Sequence, residues 1–293
     1  MVPRPKTWPS VMNLIFAPFR RPAAALLGAM MCLVASLPGM PAQAQGRLKA
    51  HYTISMTGVS IGQIVWLVTI GDERYTTTAN GKASGVLSVL VNGEGAVDTR
   101  GIVEDGRLTP KSFTSHITDD EGKSELRMTF DDGAVKELVA KEPPPRSDRV
   151  PVTEAHRHGV SDPLTAMLMT GDADAFASGN CNRVLSIFDG QRRYDLALSF
   201  KRIDKVALDR SYSGLVLVCG VVLHPVAGYR ADSMLVKYVA GRRDMELWFA
   251  PIAGTSIIAP VRVLMPTLIG KLEIAADLFD NAAAPASPAP VRQ

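Results

Sequence analysis

Five groups of residues in this 293-residue chain have types and spacings that could do chemistry. Gly58-Val59-Ser60-Ile61-Gly62 fits G-x-S-x-G, the pattern of a serine nucleophile lifted on a strand-to-helix turn beside an oxyanion hole. His156-Arg157-His158, with Asp162 close by, offers imidazoles and a carboxylate for a metal. Glu104-Asp105 and Asp119-Asp120-Glu121 are candidate acid and base carboxylates, and Gly93-x-Gly95 could begin a phosphate-binding loop. Cys181 and Cys219 could be bonded.

The surrounding sequence decides among these. Ser60 lies between two strand-like runs, so the elbow geometry is missing and a hairpin is expected. The two histidines share a face only in an extended segment, and His51, His116 and His224 are dispersed. The carboxylates fall in turn-like stretches, where Asp serves backbone geometry and solubility. Gly93-x-Gly95 lacks the third glycine and a following helix. No catalytic residue, cofactor site or metal site is therefore expected, and a serine hydrolase is the most distant reading.

The compartment follows from the first 44 residues. Arg20 and Arg21 precede a short apolar run, Ala23 to Leu37, and Ala42-Gln43-Ala44 follows as a small-x-small cleavage site. That is the layout of a secretory signal peptide, with Met12 as an alternative start to Met1. The run is shorter than the roughly 18 apolar residues of a membrane-spanning helix, so the mature chain is not expected to span a membrane. Met31, where a lipoprotein would have a small residue, argues against lipidation of Cys32. The leader holds four bases (Arg4, Lys6, Arg20, Arg21) and no acid, which leaves 28 Lys and Arg against 29 Asp and Glu. Nothing basic remains to neutralise phosphates, and nucleic acid is excluded as a partner. Periplasmic export also permits a Cys181–Cys219 disulfide. Closing that loop would contribute about 4 kcal/mol in the chain-entropy model, and two buried thiols are the alternative.

Residues 45–280 read as a single antiparallel β domain. Leu48, Ala50, Tyr52, Ile54 and Met56 alternate, as do Leu126, Met128 and Phe130, and again Leu272, Ile274, Ala276 and Leu278. Asp105-Gly106, Asp131-Asp132-Gly133 and Asp189-Gly190 punctuate the runs as hairpin turns. Leu215 to Leu223 is nearly continuous and apolar, and Met234 to Val239 reads as a further strand. Pro143-Pro144-Pro145 and Pro151 put residues 141–152 on the surface. Ser161-Asp162-Pro163 starts one short helix with Leu164, Met167 and Leu168 on one side. Residues 281–293, rich in Ala and Pro, are expected to be disordered. About thirteen short strands joined by turns predict an all-β fold, a large curved antiparallel sheet, barrel-like or sandwich-like, with one short helix.

With these elements placed, the chain resembles the exported proteins grouped as domain of unknown function 3108. The resemblance rests on Tyr52 to Gly62, the Tyr75 strand, Leu108-Thr109-Pro110 before Phe113, and Asp162-Pro163-Leu164-Thr165-Ala166. Phe188-Asp189-Gly190, the Cys219 to Tyr229 run and Pro260-Val261-Arg262 complete it. It implies a secreted, mostly β protein of the cell envelope and brings no catalytic residues.

A curved sheet can enclose an apolar cavity. Leu164, Met167, Leu168 and Met169, with Leu87, Val89 and Leu90, could cap its mouth, or could instead plug a dry core. The expected function is that of a non-enzymatic periplasmic protein binding a lipid-like or other apolar small molecule in envelope upkeep. The alternative is a structural or protein-binding envelope factor with a filled interior.

Overall fold

The structure, a computed structural model, describes residues 46–84, 93–119, 122–141, 148–171, 174–208 and 212–281. Residues 1–45, where the signal peptide is expected, the run with Leu87, Val89 and Leu90, Pro143 to Pro145 and the residues after Asn281 lie outside the described residues.

Seven strands come first: β1 (Gly46–Met56), β2 (Val59–Ile70), β3 (Arg74–Ala83), β4 (Gly93–Glu104), β5 (Arg107–Asp119), β6 (Gly122–Asp131) and β7 (Ala134–Lys141). Helix α1 (Pro163–Met167) and the two-residue β8 (Met169–Thr170) follow. Then come β9 (Val184–Phe188), β10 (Arg193–Ala207), β11 (Ser213–Ala227), helix α2 (Met234–Ala240), β12 (Met245–Pro251), β13 (Ile257–Thr267) and β14 (Gly270–Asp280). All fourteen strands form one antiparallel sheet, in the order β7-β6-β5-β4-β3-β2-β1-β14-β13-β12-β11-β10-β9, with β8 on β13. From β1 to β7, and again from β9 to β14, chain neighbours are sheet neighbours, as short connections favour. Thr57-Gly58, Asp105-Gly106 and Asp132-Gly133 each place two residues at positive φ, the two-residue turn whose twist matches that of the flanking strands.

The two edge strands, β7 and β9, do not pair with each other. Residues 158–161 bond to both: Val160 N–H donates to Gly133 O at 3.0 Å, and Ser161 N–H to Ser186 O at 2.9 Å. Val160 is buried there with Phe188 of β9 and with Phe113, Leu126, Met128 and Phe130 of β5 and β6. A short extended segment thus bridges one end of each open edge, which blunts them there against unwanted pairing.

The largest core cluster joins Leu48, Tyr52, Trp66, Val68, Tyr75 and Phe279 to Val216, Val218, Trp248, Ala250 and Ile257. β11 is buried on both faces, since Leu217, Cys219 and Val221 belong to a second cluster with Val239 of α2. That accounts for its unbroken apolar sequence. Cys219 is bonded to Cys181, with Cα atoms 5.5 Å apart. Cys181 stands in a 3₁₀ turn, Ser178–Cys181, so the bridge ties the turn before β9 to the doubly buried strand.

Three details of the sequence reading change. Met234 to Val239 is helical: Ser233 Oγ accepts from Val236 N–H, and the helix ends at Gly241. Its Val and Tyr content suited a strand, but the cap at Ser233 and packing of Val239 against β11 and β13 prevail. The described residues consequently hold two α-helices rather than one. The strands are also long, up to 15 residues in β10 and β11, and β2 begins at Val59 directly after the turn.

Candidate ligand groove

Two cross-strand rows of side chains define the site. The row Ala50, Trp66, Ala79, Val97, Ser115, Leu126, Ala140 crosses seven strands on one face of the sheet. Beside it, on the same face, Leu48, Val68, Thr77, Thr99, Phe113, Met128 and Leu138 are aligned. Over β1 to β3 this face is sealed, with Ala50 and Trp66 buried in the largest cluster. Over β4 to β7 it opens into a groove of about 1200 Å³. Val97, Phe113, Ile117, Leu126 and Leu138 make its floor.

The wall comes from distant parts of the chain. Val150 and Val152 supply one side, and the β9–β10 turn, residues 189–192, supplies another. Val150 N–H donates to Tyr229 O at 2.8 Å, and Asp189 Oδ1 accepts from the N–H groups of Gln191 and Arg192. Gly190, at φ 96°, lies so close to Leu126 that a Cβ would fall 2.2 Å from a Leu126 methyl. Only glycine lets this turn close down on the floor. Lys123, Arg149 and Arg192 stand around the opening. Arg149 donates to Gln191 Oε1 and Gly228 O, and Arg192 pairs with Asp189 at 3.8 Å.

At the inner end, where Pro163 and Leu164 meet the groove, α1 is fixed by a buried polar group. Asp162, 0% exposed, accepts through Oδ1 from Thr99 Oγ1 at 2.7 Å and from the N–H groups of Leu164 and Thr165. The hydroxyls of Thr165 and Tyr75 are 2.6 Å apart. Burial raises the Asp162 carboxyl above its ordinary value despite these bonds, and raises the Tyr75 phenol as well. Its second oxygen, Oδ2, has no hydrogen-bond partner among the described residues.

The residues proposed as a cap separate here. Leu164 lines the groove, Met167 is half-buried, Leu168 belongs to the largest cluster, and Met169 to the second. Ser60 sits in β2 opposite Ser55, within a hairpin. His156 Nδ1 accepts from Thr153 N–H, and His158 approaches Glu154 at 3.6 Å. Among the described residues no cluster of His, Cys, Asp and Glu could hold a metal ion. A smaller hollow of about 450 Å³, beside Asn80, Lys82, Glu94 and His116, opens on the other face of β2 to β5.

Sequence reasoning expected an apolar cavity but not its place over β4 to β7, and it missed the burial of Asp162. The capping motif did mark Asp162 as the bonded start of α1, without saying how deeply it lies.

A family model described as "Protein of unknown function (DUF3108)" matches residues 51–277. The chain belongs to that family. This DUF3108 protein matches no curated protein. Among solved structures it is similar to a crystal structure titled "Beta-barrel-like Protein of Domain of Unknown Function DUF1849 from Brucella abortus". Identity is 12% and the TM-score 0.45, over 82% of this chain and 99% of that one. In the DUF3108 protein the matched region contains both the groove and the sealed part of the sheet. No described helix is long and apolar enough to cross a membrane.

Proposed function

We propose that this DUF3108 protein is an exported, periplasmic, non-enzymatic binder of an amphipathic, lipid-like molecule, held in the groove over β4 to β7. One observation carries the reading. The face that is closed elsewhere opens into about 1200 Å³ floored by Val97, Phe113, Ile117, Leu126 and Leu138. An apolar hollow of that size with a few polar groups at its edge suits a ligand with an acyl body. Lys123, Arg149 and Arg192, which outnumber Asp119 and Asp189 among the lining residues, suit an acidic head.

Native mass spectrometry of protein purified without detergent tests this. The expected result is a co-purifying acyl compound, and binding of a fluorescent fatty acid that Ala140→Trp, which narrows the groove, weakens. A clean apo mass, together with fatty-acid binding that is absent or indifferent to Ala140→Trp, overturns it. A second reading rests on α1. Leu168 and Met169 are 4% and 3% exposed, so the interior beside the groove is filled. That favours a structural or protein-binding envelope factor, which the same apo result would support.

A further inference from the structure

The register sorts the turns into two ends of the sheet. Met56 pairs with Leu272 and Glu246 with Leu264, so the β1–β2 turn, the β13–β14 turn and the α2 connection share one end. The β2–β3, β4–β5 and β6–β7 turns share the other. Those three carry exposed acids, Asp72, Glu73, Glu104, Asp105, Asp131 and Asp132, which outnumber the exposed Arg74 and Arg107 beside them, and Asp131 is paired with Lys111 and Lys136.

The first end is built differently. Ile269 and Met234, 80% and 75% exposed, are the most exposed large apolar side chains described. Leu235, Leu268 and Val59 are about half exposed at the same end. Hairpin tips ordinarily carry Gly, Asn or Asp, and apolar groups set there gain nothing from the fold. These tips are nonetheless well tied. Thr57 N–H donates to Lys271 O at 2.8 Å, and Thr267 Oγ1 donates to Gly270 O at 2.8 Å. Lys271, Lys237 and Arg243 are exposed near them, whereas Arg242 pairs with Asp244 and Arg230 with Asp232. Asp119, in the β5–β6 turn, is an acid at this end on a different sector of the sheet. The groove reaches the same end, through Gly122, Lys123, residues 189–192 and Gly228.

We infer that this end docks on the surface of a bilayer containing anionic phospholipid, seating Val59, Leu268, Ile269, Met234 and Leu235 among the headgroups. Exposed apolar side chains with lysine and arginine beside them bind such surfaces by combining partial burial with charge attraction. The acidic turns at the far end then point away from the lipid, which fixes one orientation. Docking brings the groove opening to the membrane, although the docking itself does not depend on the groove holding a ligand.

The test is co-sedimentation of protein expressed from the full-length chain, using phosphatidylethanolamine–phosphatidylglycerol vesicles and phosphatidylcholine vesicles. Binding is expected on the anionic vesicles, weakening as salt rises. Leu268→Asp with Ile269→Asp should lower it by about tenfold or more, Lys237→Glu with Arg243→Glu by less, and Asp105→Ala not at all. Ala140→Trp should leave docking intact, which separates this inference from the groove reading. Unchanged melting curves for the tip variants show that the fold is kept. Absent binding, equal binding to both vesicle types, or full binding by the Leu268/Ile269 variant overturns the inference. So does a dimer in solution that the same variant dissociates, because a second copy would then cover the surface.

Discussion

One face of one sheet is finished in two ways. Over β1 to β3, Ala50 is fully buried and Trp66 nearly so, because Val216, Val218, Trp248, Ala250 and Ile257 of β11 to β13 close over them. Along the same row over β4 to β7, Leu126 is buried beneath Gly190, and Ala140 is exposed. The strand sequences alternate in the same manner in both regions, so alternation alone does not decide which becomes core. The decisive difference is the opposing layer. The sealed region meets a second set of strands that is itself buried on both sides, and the open region meets residues 149–152, one turn, the start of α1 and, at Val160 and Phe188, a smaller cluster. Stability should therefore concentrate in the first region and adaptability in the second.

Removing a large side chain from each region gives the widest contrast. Phe279→Ala, at a 0% exposed position, should cost about 3–5 kcal/mol, whereas Leu138→Ala on the groove floor should cost about 1 kcal/mol. Urea melts read both, and similar losses would mean that the groove region is packed as core. The disulfide comes next. Replacing Cys181 and Cys219 together by Ser should cost about 2–4 kcal/mol, since the bridge ties β11, part of the sealing layer, to the turn before β9. Fatty-acid binding at a temperature where the variant stays folded should be unchanged. Lost binding in a folded variant would show that the groove depends on the sealing layer after all.

How much of this could be read in the sequence follows from range. Alternation, Asp-Gly turns and a pair of cysteines beyond residue 44 are local or countable, and they yield the antiparallel sheet and the Cys181–Cys219 bridge. Met234 to Val239 misleads because a strand-like composition is overruled by a single cap at Ser233 and by tertiary packing. The groove was not legible, because its floor is on β4 to β7 and its wall comes from residues 149–152 and 189–192. Nor was the state of Asp162: a capping aspartate before proline reads the same whether it is in water or, as here, wholly enclosed.

Asp162 marks the boundary between the two regions and allows the finest test of it. Its carboxyl is raised above the ordinary 3.8 by burial, so the folded state holds the proton more tightly than the unfolded chain. The associated stability is fully present below about pH 4 and is lost as pH rises through the elevated folded value. Glu246 works in the opposite direction. Burial raises its pKa, but bonds from Arg202, Lys201 and Trp248 outweigh that and hold it at about 2, so its stability is lost as pH falls from 4.5 towards 2. Asp162→Asn keeps an oxygen for Thr99, Leu164 and Thr165 and cannot ionise, so it should cost under about 1 kcal/mol near pH 4 and gain on the wild type as pH rises. Asp162→Ala removes the cap and should cost about 1–2 kcal/mol near pH 4, a cost that shrinks as pH rises because alanine cannot ionise either. Urea midpoints from about pH 4 to about pH 8 decide it. The Glu246 contribution cancels between wild type and variant, so a constant Asn-to-wild-type difference would place Asp162 in contact with water and move the edge of the open region inward to α1.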